Sequence, residues 1–335
     1  MLNRPLSDSF AHFLWPVHPA GYQISLQVPR AGSRKDLSTQ PGRFLSPVLP
    51  TSGPRRIYAP LLDHPALFKT FADTPQSPEG IAEFANRYGF LGFAEIVGSV
   101  SATRSELPAS VAETFGTSQA IRRRTGTVGE PVEAWFSEIG AMADMLRIWE
   151  AAQGTDQHAL AQRIEWQTDK LVTFRDSVGG CEVIADSHFH PELLTRMNPG
   201  DLVFPAKLMV QERTNQKLRK LKVSAQLLWN SNWSALEVSL VPSSLLGCMW
   251  LQFARAIGGD KSYRACENCK RWFEIGGGTL GGRSDKRYCC GTCKAAAHAK
   301  KRVRARRLYR SGRMPADIAQ KLDTPIGTVK GWIVQ

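Results

Sequence analysis

Apolar positions along this chain fall into helical stripes separated by short strand-like runs. Ile81, Phe84 and Tyr88 recur at helical spacing behind Ser77-Pro78-Glu79. A serine that accepts from free first-turn N–H groups, followed by a proline suited to that turn, predicts a helix start, and Gly89 predicts its end. Between Pro131 and Gln153, a stripe of Val132, Trp135, Phe136, Ile139, Met142, Leu146 and Trp149 predicts the strongest helix of the first domain, its apolar face in the core. Asp201–Leu218 reads as helix, and Ser243/Ser244 cap another, Leu245–Ile257, that stops at Gly258-Gly259. Lys170–Phe174 and Cys181–Ala185, around Gly179-Gly180, read as strands. Val223–Trp229 and Trp233–Val241 flank Asn230-Ser231-Asn232 and predict a hairpin with a three-residue loop. Residues 1–57 are rich in Pro, Ser and Arg with weak periodicity, so an irregular segment is expected, with a short strand at Tyr22–Val28. The alternation predicts an α+β fold, with an α+β domain of undeclared function over 58–258.

Charge changes this picture at the far end. The formal net charge is +13. From Arg255 onward there are 19 Lys/Arg against 6 Asp/Glu, so the whole excess lies there and the rest of the chain is balanced. A segregated positive field is the footprint of a polyanion partner, whereas a face evolved for solubility usually mixes both signs.

Cysteine usage points the same way. Five of the seven cysteines, Cys266, Cys269, Cys289, Cys290 and Cys293, fall within one short stretch. Clustered pairs in a long chain read as metal ligands in a reducing compartment, not as a disulfide framework. Met1–Val28 holds no apolar run long enough for a signal peptide, and the longest apolar run, near Ser244–Ile257, is broken by Gln252 and Arg255. A cytoplasmic location without membrane contact is expected. Two close cysteine pairs about twenty residues apart suit one tetrahedral zinc ion, and four thiolates leave no open position for catalysis. The first pair is unambiguous. In the second, Cys289 or Cys290 could partner Cys293, and His298 could replace a cysteine. Such a segment, with little more than Trp272, Phe273 and Tyr288 for a core, needs the metal to fold.

These residues resemble bacterial and phage zinc fingers of treble-clef, FCS/MYM-like type. Such fingers carry a C-x2-C-x3-F knuckle, a later aromatic-Cys knuckle and a basic helix. Cys266, Cys269, Phe273, Tyr288, Cys289 and Cys293 fall on that pattern, while Cys290 stands where serine is usual. The CGNR finger of bacterial regulators is a looser relative whose Gly-Asn-Arg is missing. The resemblance implies Cys266, Cys269, Cys289 and Cys293 as ligands of one structural Zn2+, in a zinc finger spanning 259–299.

Beyond Cys293, nine basic residues and no acid lie between Lys294 and Arg313. Ala, Lys and Arg favour helix. A helix so charged suits phosphate contact, through Lys300, Lys301, Arg302, Arg304, Arg306, Arg307, Arg310 and Arg313. The tail then reads Asp317-Ile318-Ala319, Leu322-Asp323-Thr324-Pro325 and Ile326-Gly327-Thr328-Val329-Lys330-Gly331-Trp332. It resembles helix-turn-helix segments of sigma-factor region 4 and of resolvase-type proteins. Asp323 replaces the usual turn glycine, and Gly327 and Gly331 weaken the second helix. The resemblance implies that Ile326–Val334 enters the major groove, with Thr328 and Lys330 facing outward. A basic helix and helix-turn-helix are therefore expected over 300–335.

Other motifs carry less. His188 and His190 have a His-x-His spacing without further ligands in sequence, and read as loop residues. The glycine run Gly276–Gly282 lacks the Gly-Lys-Ser/Thr ending of a phosphate loop and reads as a ribbon loop. Cys181 and Cys248 read as buried small residues. No catalytic constellation is found, so an enzyme is not expected. The chain is expected to be a zinc-containing, DNA-binding transcriptional regulator of bacterial type whose first part senses or oligomerises. DNA is the first partner and RNA the second, and a homodimer is left open. The rival readings are an enzyme or toxin domain at 1–254 delivered to RNA or DNA by the basic tail, and an RNA-binding module.

Overall fold

Strand pairing begins inside the segment expected to be irregular. The computed structural model describes residues 13–27, 42–48, 56–92, 129–154, 156–176, 179–188, 190–229, 234–259, 262–275 and 285–333. In it β1 (Trp15–Val17) pairs antiparallel with β4 (Arg56–Tyr58). Strand β2 (Tyr22–Gln27) pairs with β3 (Gly42–Pro47), which in turn pairs with β5 (Glu130–Pro131). The irregular reading of 1–57 is corrected for β1, β3 and β4, while β2 is the short strand expected from Tyr22. Their periodicity is weak because the pairing partners, not an amphipathic alternation, define them, and only Leu45 of β3 is fully buried. Val28, the Asn230-Ser231-Asn232 loop, the glycine run and Val334 lie outside the described residues.

The fold is α+β. Its strands form small antiparallel sheets between helices, and it divides into two compact units, Met1–Asp260 and Lys261–Gln335. In the first unit, α1 (Pro60–Asp63) and α2 (Leu67–Ala72) precede α3 (Pro78–Tyr88). The Ser77 hydroxyl accepts from the Gly80 N–H at 3.1 Å, and Gly89, at φ +92°, ends α3. The long α4 (Val132–Gly154) packs on α2 and on α7 (Val203–Lys220), with the short α5 (Gln157–Ala161) and α6 (Pro191–Leu194) between them in sequence. Its buried face is wider than the predicted stripe. Ala143, Met145 and Ile148 are buried, while Phe136, Leu146 and Trp149 are only half-buried.

Strands β6 (Ile164–Thr168), β7 (Leu171–Arg175) and β8 (Cys181–Asp186) form a three-stranded sheet. Cys181 is exposed, against expectation, because it opens an outer strand whose first three residues face solvent. β9 (Ser224–Trp229) and β10 (Leu236–Val241) pair as an antiparallel hairpin as expected, but β10 begins at Leu236 and not at Trp233, so six residues and not three separate the paired strands. Ser244 caps α8 (Leu245–Gly258), accepting from the Gly247 N–H at 3.0 Å.

Helix α8 is almost wholly buried, which accounts for its apolar composition, and Cys248 lies within it at zero exposure. Gln252 tolerates this burial because its amide is satisfied. Its Nε2 donates to the Pro60 and His64 carbonyls, and its Oε1 accepts from the Phe68 N–H. Among the described residues, no helix is long and apolar enough to cross a membrane. Glu130, also fully buried, accepts from the N–H groups of Leu91 (2.9 Å) and Gly92 (2.6 Å) and from the Trp135 indole (2.9 Å). Gly92 sits at φ +85°, and a Cβ there would meet Trp15 and Ser244 at 2.8 Å.

The second unit opens with a hairpin of β11 (Ser262–Ala265) and β12 (Trp272–Ile275). Helix α9 (Gly291–Arg310) follows, then α10 (Pro315–Lys321) and α11 (Ile326–Ile333). The division expected between residues 299 and 300 falls inside α9, so the helix that starts at the second cysteine pair is also the basic helix. Among the described residues, two small cores hold this unit. Phe273, Cys266 and Cys293 form one, and Ala305, Ile318, Leu322, Val329 and Trp332 form the other. Asp323 takes the left-handed conformation, φ +45°, where the resembled family has glycine. The Pro325 carbonyl accepts from the Thr328 and Val329 N–H groups and starts α11.

Candidate metal centre and basic helix

The hairpin β11–β12 turns through Cys266-Glu267-Asn268-Cys269. Cys266 donates its N–H to the Arg271 carbonyl, and Lys270 donates back to the Cys266 carbonyl, both at 2.8 Å. Lys270 takes a left-handed φ of +62° to close this turn. The turn aims both thiols at one point. The second pair arrives from α9, with Cys289 just before it, Cys290 at its N-cap and Cys293 in its first turn.

The sulfurs of Cys266, Cys269, Cys289 and Cys293 all lie within 4.8 Å of one another. Cys289 Sγ is 3.7 Å from Cys269 Sγ and 3.5 Å from Cys293 Sγ. A tetrahedral ion held by thiolates at about 2.3 Å sets sulfur–sulfur edges near ~3.8 Å, so the donor set fits a four-coordinate metal. Among the described residues, this is the one group of three or more Cys, His, Asp or Glu side chains close enough to hold an ion. Cys290 Sγ lies 3.8 Å from Cys289 Sγ but on the exposed side. His298 instead sets its ring edge-on to Trp332, with centroids 4.9 Å apart. His188 and His190 stay in their turn, where the His188 N–H and the His190 ring face Asp186.

Electrostatics mark the cluster as a cation site. Burial raises the Cys269 thiol, but hydrogen bonds from the Arg271 side chain and backbone and from Cys266 outweigh it and hold the thiol at about 6. Burial and the neighbouring sulfurs of Cys293, Cys269 and Cys266 push Cys289 up. Four crowded sulfurs cannot all ionise unaided, and a bound cation removes the conflict.

Along α9 the basic residues divide by role. Lys300 Nζ donates to Asn268 Oδ1 at 3.0 Å, tying the helix to the first cysteine turn. Lys301 Nζ donates to the Asp323 carbonyl at 3.3 Å, and Arg306 Nε donates to the Trp332 carbonyl at 2.8 Å, at the end of α11. Arg302, Arg304, Arg307, Arg310 and Arg313 are exposed, as are Thr328 and Lys330 on α11. A shallow groove along α9 is lined by Lys294, His298 and Arg302 with Gly291, Ala295 and Ala299.

Several supporting residues carry no mark in the sequence. Asn268 accepts from Lys300, and Arg287 pairs with Glu267 and, at 3.6 Å, with Asp323. Nothing local in the sequence signals these, because each joins residues far apart along the chain.

The chain matches no family model, no curated protein and no solved structure. The likeness to treble-clef fingers and to helix-turn-helix segments therefore rests on the motif residues quoted above. What stands independently is a four-cysteine group able to hold a metal ion.

Proposed function

We propose that the second unit is a zinc-stapled nucleic-acid-binding module with duplex DNA as its first target, and that the protein is a DNA-binding transcriptional regulator. The observation that carries this reading is helix α9. Its first turn holds one side of the four-cysteine group, and farther along it Arg302, Arg304, Arg307 and Arg310 are exposed. Zinc is the ion that suits four thiolates at tetrahedral spacing, and a closed set of this kind serves folding rather than catalysis. The metal clamps the start of α9 to the β11–β12 hairpin. Arg302, Arg304, Arg307, Arg310 and Arg313 contact phosphates, each releasing counterions. Helices α10 and α11, joined through Asp323, act as the helix-turn-helix they resemble, and Thr328 and Lys330 reach base edges in the major groove. Lys300, Lys301 and Arg306 add to the positive field while bracing the unit from within.

Fluorescence anisotropy of a labelled duplex, titrated with the zinc-loaded chain at several salt concentrations, tests the reading. Five phosphate contacts give a slope of log affinity on log salt of about −4.5, and changing Arg302, Arg307 and Arg310 together to alanine lowers its magnitude by about 2.7. Affinity and slope unchanged in the triple variant refute the assignment. Structured RNA that displaces the duplex at equal concentration makes RNA the target instead.

A further inference from the structure

The β9–β10 hairpin of the first unit has two unequal faces. Its register sets Leu236 against Trp229, Val238 against Leu227 and Leu240 against Ala225. Strand alternation puts these six side chains on one face, and none of the six is charged. The face is open to solvent. Val238 is 67% exposed, Leu227 61%, Leu236 50%, Trp229 45% and Leu240 44%. On the opposite face Glu237 is half-buried and Ser239 is buried. Among the described residues the sheet has only these two strands, and a lone hairpin is marginally stable in water. At about 200 Å² for a fully open large side chain, the five fractions amount to roughly 500 Å² of apolar surface. That is near the upper end of what a monomer leaves in contact with water.

We infer that this face is an interface between two copies of the chain, with the hairpins stacked face to face about a two-fold axis. Area, charge and shape select a second copy as the occupant. Two such faces together withdraw roughly 1,000 Å² from water, the size at which specific interfaces begin. A neutral face is compatible with itself, whereas a partner recognised by its charge finds nothing here to pair with. The face also tapers, from Trp229 and Leu236 beside the turn to Ala225 and Leu240 at the base. A two-fold axis running across the strands lays the bulky end of one copy on the slim end of the other and fills the space between sheets. Leu227 and Val238, at the middle, then meet their own counterparts. The dimer presents two copies of the basic unit, but the inference stands on the hairpin alone and does not depend on nucleic-acid binding.

Sedimentation velocity of the full zinc-loaded chain from about 1 to 100 μM reads the outcome directly. The unmodified chain is expected to form dimers in this range. Val238→Lys and Val238→Glu each weaken dimerisation by about 100-fold or more, because each buries like charges against one another at the axis. An equimolar mixture of the two restores a dimer, which mere damage to the hairpin does not do. Val238 is exposed in the single chain, so both variants keep the melting profile of the monomer, and a milder Leu227→Ser weakens the dimer in the same direction. A chain that is monomeric throughout, a Val238→Lys variant that dimerises like the parent, or a mixture that stays monomeric overturns the inference. So does a monomeric parent that cosediments with vesicles of zwitterionic lipid, which makes the face a membrane contact.

Discussion

Replacing Cys269 by serine removes one sulfur from the group that joins the β11–β12 hairpin to the first turn of α9. Polar contacts, such as Lys300 with Asn268 and Arg287 with Glu267, also join those pieces. Among the described residues, their apolar core is small: Phe273 with Cys266 and Cys293, and Ile275, Tyr288, Cys269 and Cys289 packed around it. Full burial of a side chain such as Phe273 contributes about 2–3 kcal/mol. A structural zinc ion on thiolates contributes about 10–16 kcal/mol to folding. Loss of the ion therefore removes several times what the local core supplies. The second core, Ala305, Ile318, Leu322, Val329 and Trp332, has no part in metal binding and closes α9, α10 and α11 on one another. The loss is accordingly selective. Amide protection disappears over 262–275 and 285–293 and persists over the three-helix core. Metal content after gel filtration, read with hydrogen exchange, checks both halves. The parent carries about one equivalent of zinc and Cys269→Ser far less. A variant that keeps a full equivalent, or a chelated parent that stays protected in the hairpin, refutes the reasoning.

Three further outcomes are expected. Metal retention falls as pH drops into the acid range, because protons compete with the ion for the four thiolates; dialysis against graded buffers followed by metal analysis measures this, and full retention in acid contradicts it. Trp332→Ala costs about 3–5 kcal/mol in the three-helix core, with loss of helical circular dichroism from α10 and α11, while the zinc content stays at its parental level. Glu130→Ala leaves the N–H groups of Leu91 and Gly92 and the Trp135 indole without their buried acceptor, and urea unfolding followed by tryptophan fluorescence should show a loss of about 3–5 kcal/mol.

Much of the local architecture is legible in the amino-acid order alone. Ser77 and Ser244 announce helices because the groups they cap lie three residues away. The stripe from Val132 to Trp149 announces another because one face of a helix repeats within a turn. The cysteine pairs are legible for the same reason, since each pair is a short-range turn, and charge segregation needs no structure to be seen. The tertiary structure decided what depends on distant partners. The strands within 13–58 exist through pairing, one of them with Glu130 and Pro131 far along the chain. Exposure of Cys181 depends on its lying in an outer strand, and burial of Glu130 on the Leu91 and Gly92 N–H groups brought to it from a remote segment. In α9 the sequence lists equivalent cations. Folding sorts them, because the acceptors that engage Lys300, Lys301 and Arg306 lie 22 to 32 residues away. A side chain's local preferences are written beside it, but its partner is set only when remote segments meet.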